Sequence, residues 1–253
     1  MQVETLGEQL SRPIPQIRHL IGSGLLVEDS KAVLYGVFKA GKSTLLQYIG
    51  LSCAAGLPLF SSKHLSTEKS RVLSLQIEMS HHAFLHRLKA SSLSSLQDVR
   101  DNFYPWTEWW LKLDTSEGKN RLEEVIREVE PDVFILDPFY KTLTGSENSV
   151  QDLTRFFDNL DLLISQYHFS LLFSAQGRKT LLVPKMGKVD MGDEELRGST
   201  AIGGWAETIM GIRRAGGNKR KLSFTVRHST RARGNEFEET VEWNEQTGLY
   251  RLA

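Results

Sequence analysis

A chain of 253 residues with 31 basic and 31 acidic side chains has no global pull toward nucleic acid or membrane, so polyanion contacts must come from local patches. Apolar and charged fractions of 40% and 25% are those of a globular protein, and the length suits one α/β domain with a well-buried core. The single cysteine, Cys53, excludes an internal disulfide and fits a reducing, cytoplasmic setting. No apolar run approaches the ~18 residues of a membrane helix, and the amino terminus lacks the basic-then-apolar order of a signal peptide.

In chain order, residues 1–30 read as a lead-in segment with no room for a separate domain, so that 1–253 form one unit. Within it Ile17, Leu20 and Ile21 fit one helical face ahead of Gly22-Ser23-Gly24. Ala32-Val33-Leu34-Tyr35 is a short apolar run expected as a buried strand. Gly36 to Thr44 then matches G-x-x-x-x-G-K-[ST], and Leu45, Leu46, Ile49 and Ala54-Ala55 continue at helical spacing up to Gly56. Arg71 to Ile77 reads as a second strand, and His81 to Ala90 as a helix with Phe84, Leu85 and Leu88 inward. Residues 102–113 are rich in aromatics, among them Phe103, Tyr104, Trp106, Trp109 and Trp110. Such a cluster can stack on bases, and it can equally pack in the core or at a subunit contact.

Ser116 to Glu130 is expected to be an amphipathic helix carrying Leu122, Val125, Ile126 and Val129, closed by Pro131. The run 132–137 is a buried strand ending in a carboxylate. Ser149 to Gln166 is a second amphipathic helix, and Phe169 to Ala175 a further buried strand. From Gly177 to Arg197 the chain is polar and basic in its first half, a length typical of functional or mobile loops. Strands are expected at 208–212, 221–227, 239–243 and 249–252, the last two joined as a hairpin through 244–248. This alternation implies an α/β fold: a mostly parallel twisted sheet flanked by helices, with antiparallel strands added in the carboxy-terminal third.

Strand, glycine loop and helix in that order form a phosphate cradle, in which loop amides and a helix N-terminus point at an anion. Gly36, Lys39, Ala40, Gly41, Lys42, Ser43 and Thr44 make up the expected nucleotide-contacting set. Lys42 is placed for the β- and γ-phosphates and Ser43 for Mg²⁺. Asp137, after four apolar residues, has the form of the second, metal-positioning carboxylate. Glu78, at the end of the strand 72–77, either faces the ligand crevice and activates water or is an exposed residue leading into a helix. Gln176 either contacts the γ-phosphate or is a surface polar residue. The tract Arg213 to Arg233 holds eight Lys and Arg and no acid; three readings stand: nucleic-acid contact, an arginine finger, or solvated hairpin surface.

Ser74-Leu75-Gln76-Ile77-Glu78-Met79-Ser80 with the trailing Arg87, Leu136-Asp137-Pro138, Ser174-Ala175-Gln176 and Glu195-Leu196-Arg197-Gly198-Ser199-Thr200 carry a further likeness. Together with the phosphate loop, and over residues 12–235, the chain resembles the RecA-like ATPase core of DnaB-type hexameric helicases, above all the compact RepA-type ATPases of plasmids and phages. The resemblance implies that Glu78 is the catalytic base and Gln176 the γ-phosphate sensor. It implies that the loop 177–196 with Arg197 meets single-stranded DNA, which brings in Arg178, Lys179, Lys185 and Lys188. It implies that Arg227 reaches the adjacent subunit's nucleotide. The family often shows Lys-x-Arg on that strand, whereas this chain has Arg227-His228-Ser229, which makes Arg231 and Arg233 alternatives. Glu207 stands where the family commonly has Asp. The implied protein is an ATP- and Mg²⁺-dependent homohexamer that translocates on single-stranded DNA, with a loading or recruiting protein partner and the lead-in segment docked on a neighbouring subunit. An ATP-switched regulatory or assembly ATPase is the alternative.

Overall fold

The structure is a computed structural model and describes residues 3–13, 16–147, 149–176, 200–215, 220–228 and 236–253. The chain opens on a single helical turn, α1 (Leu6–Leu10), closed at its start by a reciprocal capping box between Thr5 and Glu8. The expected helical face over Ile17 to Ile21 is not formed. Instead β1 (His19–Ile21) pairs antiparallel with β2 (Leu26–Val27). The cause is the turn between them: Ser23 and Gly24 take φ of +58° and +71°, which reverses the chain where a helix would continue. Leu20 and Ile21 are buried by this hairpin and Ile17 is left exposed.

The elements that follow are β3 (Lys31–Gly36), α2 (Lys42–Ala55), β4 (Val72–Gln76), α3 (His81–Lys89), α4 (Gln97–Asn102), β5 (Phe103–Trp106), α5 (Ser116–Val129), β6 (Val133–Asp137), α6 (Val150–Tyr167) and β7 (Ser170–Gln176). After them come α7 (Thr200–Trp205), β8 (Thr208–Arg214), β9 (Lys221–His228), β10 (Phe237–Asn244) and β11 (Leu249–Leu252). One nine-stranded sheet runs in the order β11-β10-β9-β8-β3-β7-β6-β4-β5. From β8 to β5 every neighbouring pair is parallel, while β9, β10 and β11 are added antiparallel at the other edge. This is the expected mostly parallel α/β sheet with its antiparallel extension.

Both faces of the sheet are covered, and the strand period of two sorts the side chains between them. On β3, Ala32 and Leu34 join the layer under α2, α3 and α4, whereas Val33 and Tyr35 join the layer under α5 and α6. Val133 and Ile135 of β6 point to the first layer, and Phe134 and Leu136 to the second. The helix α2 is buried on nearly every side, from Leu45 through Ala54, which is why its sequence shows no polar face. The amphipathic α5 and α6 bury the residues expected of them.

The aromatic stretch divides. Phe103 to Trp106 forms β5, the edge strand beside β4, and Pro105 is tolerated there because an edge strand need not donate on both sides. Phe103, Tyr104 and Trp106 pack into the two core layers, while Trp109 and Trp110 remain 53% and 87% exposed. Among the described residues, no helix is long and apolar enough to cross a membrane.

Candidate active site

The buried run of β3 delivers Gly36 to the carboxyl end of the sheet between Gln176 of β7 and Ile212 of β8. A Cβ at position 36 would stand 2.8 Å from the Ile212 carbonyl oxygen, so only glycine fits this approach. The loop then tightens through an Ala40 N–H bond to the Val37 carbonyl (3.1 Å). Lys39 takes φ of +61° and Gly41 +103°, the left-handed region that glycine enters without steric penalty. Lys42 starts α2 directly after Gly41, and no side chain caps that N-terminus. First-turn amides in this position are the donors that bind an anion.

Lys42 is half-buried. Its ammonium donates to the carbonyl oxygens of Gly36 (2.7 Å) and Val37 (3.3 Å). Burial lowers its pKa, while the nearby Asp137 and Glu78 charges favour the ammonium form. Asp137 ends β6 and is 5% exposed. Burial raises its pKa above the ordinary carboxylate value; the Ser174 and Ser43 hydroxyls and the Gln76 amide oppose that shift. Ser174 donates to Oδ1 at 2.5 Å and Gln76 Nε2 donates to Oδ2 at 3.1 Å. Gln76 is paired with Asp137 across β4 and β6, and its Oε1 accepts the backbone N–H of Glu78 at 2.8 Å. A single buried amide thus ties the Asp137 carboxylate to the main chain at Glu78.

Glu78 itself is exposed just beyond β4, and its Oε1 accepts a 2.6 Å bond from the hydroxyl of Tyr140. Tyr140 belongs to the 3₁₀ turn Phe139–Thr142 that follows β6. Its pKa is raised by burial first and by Glu78 second. Gln176 closes β7 in register with Gly36. Lys42, Ser43, Asp137, Glu78 and Gln176 therefore gather at the carboxyl ends of β3, β6, β4 and β7, where a parallel α/β sheet opens its ligand crevice. Among the described residues, no group of three or more His, Cys, Asp or Glu is arranged to hold a metal ion.

Arg227 is not in this group. On β9 it lies opposite Ile209, while Ile212, beside Gly36, lies opposite Phe224. Three residues along a strand put Arg227 about 10 Å farther from the loop end of the sheet. Glu207 is also at this far end, where it accepts the backbone N–H of Lys31 at the start of β3. Of the basic tract, Arg213 pairs with Glu238 (3.1 Å) and Arg220 with Glu245 (2.7 Å), as hairpin surface does. Arg214 instead donates to the Lys39 carbonyl in the phosphate loop at 3.2 Å. Arg178, Lys179, Lys185, Lys188, Arg197, Arg231 and Arg233 lie outside the described residues.

Sequence reasoning gives no role to three of the participants: Gln76, Ser174 and Tyr140. For the first two a signal exists, since a polar residue inside an otherwise apolar, doubly covered strand must find a partner.

The loop, the buried carboxylate beside it and the parallel sheet define a P-loop nucleotide hydrolase of RecA-like fold. Residues 2–180 match the family model described as "AAA domain", and the chain belongs to that family. Its fold is similar to that of a solved helicase ATPase domain, with a TM-score of 0.65 and 10% sequence identity over 89% of this chain and 85% of that one. No curated protein matches it. The chain is an ATPase.

Proposed function

We propose that this ATPase works as a homohexameric ring on single-stranded DNA, hydrolysing Mg-ATP at the seam between two copies and translocating during replication of a plasmid, phage or other mobile element. One observation carries the reading. Lys42, Ser43, Asp137 and Glu78 converge at one end of the sheet, while Arg227 stands at the other. An arginine so placed serves a neighbour's nucleotide, which makes two copies the catalytic unit.

In this reading Lys42 leaves the Gly36 and Val37 carbonyls and takes the β- and γ-phosphoryl oxygens, joined by the first amides of α2. Mg²⁺ suits the donors present: one hydroxyl, Ser43, and one carboxylate, Asp137, whose burial disfavours its charge until a cation offsets it. Mg²⁺ commonly takes one or two protein oxygens and fills its shell with phosphate and water, and when bound it neutralises charge on the triphosphate. Glu78 accepts a proton from the attacking water, and Gln176, beside Gly36, meets the γ-phosphate and senses its loss. Arg227 of the next copy stabilises charge on the transferred phosphoryl group, with Arg231 and Arg233 as alternatives. Arg178, Lys179, Lys185, Lys188 and Arg197 contact the DNA backbone, the segment 1–30 docks on the adjoining subunit, and a partner protein loads the ring in the cytoplasm.

The test is ATP turnover with and without single-stranded DNA, alongside mass in solution with a non-hydrolysable ATP analogue. A hexamer whose turnover rises with DNA, with binding that weakens as salt increases, supports the motor. Nucleotide-driven assembly that ignores nucleic acid supports instead an ATP-switched regulatory or assembly ATPase.

A further inference from the structure

A glutamate just past a strand end, exposed to solvent, has several rotamers open to it, and a general base must hold one of them against the attacking water. At Glu78 the backbone is fixed by Gln76, but the carboxylate has a separate restraint in the Tyr140 hydroxyl, 2.6 Å from Oε1. That distance is typical of the short, strong bond that a hydroxyl makes to a charged carboxylate.

The phenol is rigidly mounted. Phe139 and Thr142 on either side of it are fully buried, and Thr142 Oγ1 donates to the Phe139 carbonyl at 2.6 Å. The Leu113 N–H donates to the Thr142 carbonyl at 2.8 Å, and Lys112 Nζ donates to the carbonyls of Lys141 and Leu143. The Tyr140 ring packs against the core layer under α5 and α6. This turn follows Asp137 by two residues, so one short segment sets both the buried carboxylate and the partner of the exposed one.

We propose that Tyr140 is the positioning residue for Glu78, an inference that rests on Glu78 being the base. The phenol occupies Oε1 and keeps its own proton. Oε2 is left to accept one proton of the attacking water, as the water oxygen bonds to the γ-phosphorus. The bond from that phosphorus to the β,γ-bridging oxygen breaks, and ADP departs with the electron pair. Tyr140 touches neither water nor nucleotide.

The experiment measures kcat, KM for Mg-ATP and affinity for a fluorescent non-hydrolysable ATP analogue in four chains: wild type, Tyr140→Phe, Glu78→Asp and the double variant. Phenylalanine keeps the packed ring and removes only the hydroxyl. Tyr140→Phe is expected to lower kcat about tenfold, while KM and analogue affinity stay within about twofold. In the Glu78→Asp background, where the shortened side chain no longer meets the phenol, the same change is expected to shift kcat by no more than about twofold. An unchanged or increased kcat in Tyr140→Phe overturns the proposal. So does an equal loss in both backgrounds, or a loss of analogue affinity matching the loss of kcat, since either marks a structural role. Glu78→Gln separates the two levels. If it hydrolyses ATP like wild type, Glu78 is not the base and Tyr140 has nothing to position. If it binds the analogue without turnover while Tyr140→Phe is normal, only the role of the phenol is lost.

Discussion

The parallel and antiparallel parts of the sheet use the same backbone ladder for different ends. Strands β4 and β6 are buried at every position, β3 and β7 at all but one, and each spends its interior on apolar contact. Covered on both faces, they leave only their carboxyl ends for chemistry, and that is where Gly36, Glu78, Asp137 and Gln176 stand. The antiparallel edge alternates instead: β10 turns Val241 inward and presents Glu238 and Glu242 to Arg213 and Arg251. Its side chains are spent on ion pairs and on bracing the phosphate loop, through Arg214 on the Lys39 carbonyl. One region concentrates function at strand ends, and the other supports it from the flank.

Lys42→Ala should separate the two regions most sharply. Turnover is expected to fall by at least about 10²-fold, because no residue of the antiparallel edge can replace a charge aimed at the phosphoryl oxygens. Steady-state ATP hydrolysis checks it. Asp137→Asn should likewise remove turnover, yet raise the melting temperature of the nucleotide-free protein at pH 7. The sign follows from burial. The folded carboxyl titrates above its unfolded value, so its stabilising contribution is present at low pH and lost as pH rises through the folded pKa. The amide never ionises, and melting of both chains between pH 4 and 7 should show the gap widening as pH rises.

Phe173→Ala, in the fully buried centre of β7, is expected to cost about 3–5 kcal/mol in denaturant unfolding. Arg220→Ala, at the half-exposed Glu245 pair on the edge, should change stability by no more than about 1 kcal/mol. Similar costs at the two positions would remove the contrast.

Much of this contrast is legible in the amino-acid order. The apolar runs at 32–35, 72–77, 133–136 and 169–175 announce strands covered on both faces, and the phosphate loop sits at the end of one of them. Lys42, Ser43 and Asp137 can be named because their chemistry is tied to local spacing. Tyr140, Gln76 and Ser174 cannot, since their bonds join residues 62, 61 and 37 positions apart and depend on which strands become neighbours. The hairpin over 19–27 was hidden by a short apolar pattern that fits either period, and its turn conformation decided the matter. β5 was hidden by Pro105, which reads as a strand breaker until the strand is known to be at an edge.

If each nucleotide is hydrolysed between two copies, one supplies the loop and Asp137 and the other supplies Arg227. The decisive experiment is ATP turnover of Lys42→Ala and Arg227→Ala chains, each alone and then mixed and reassembled. Each variant alone is expected to be inactive, and the mixture to recover turnover at seams where an intact loop meets an intact arginine. Wild-type turnover by Arg227→Ala alone, or a mixture as inactive as its components although both bind nucleotide and assemble, would contradict hydrolysis at a shared seam.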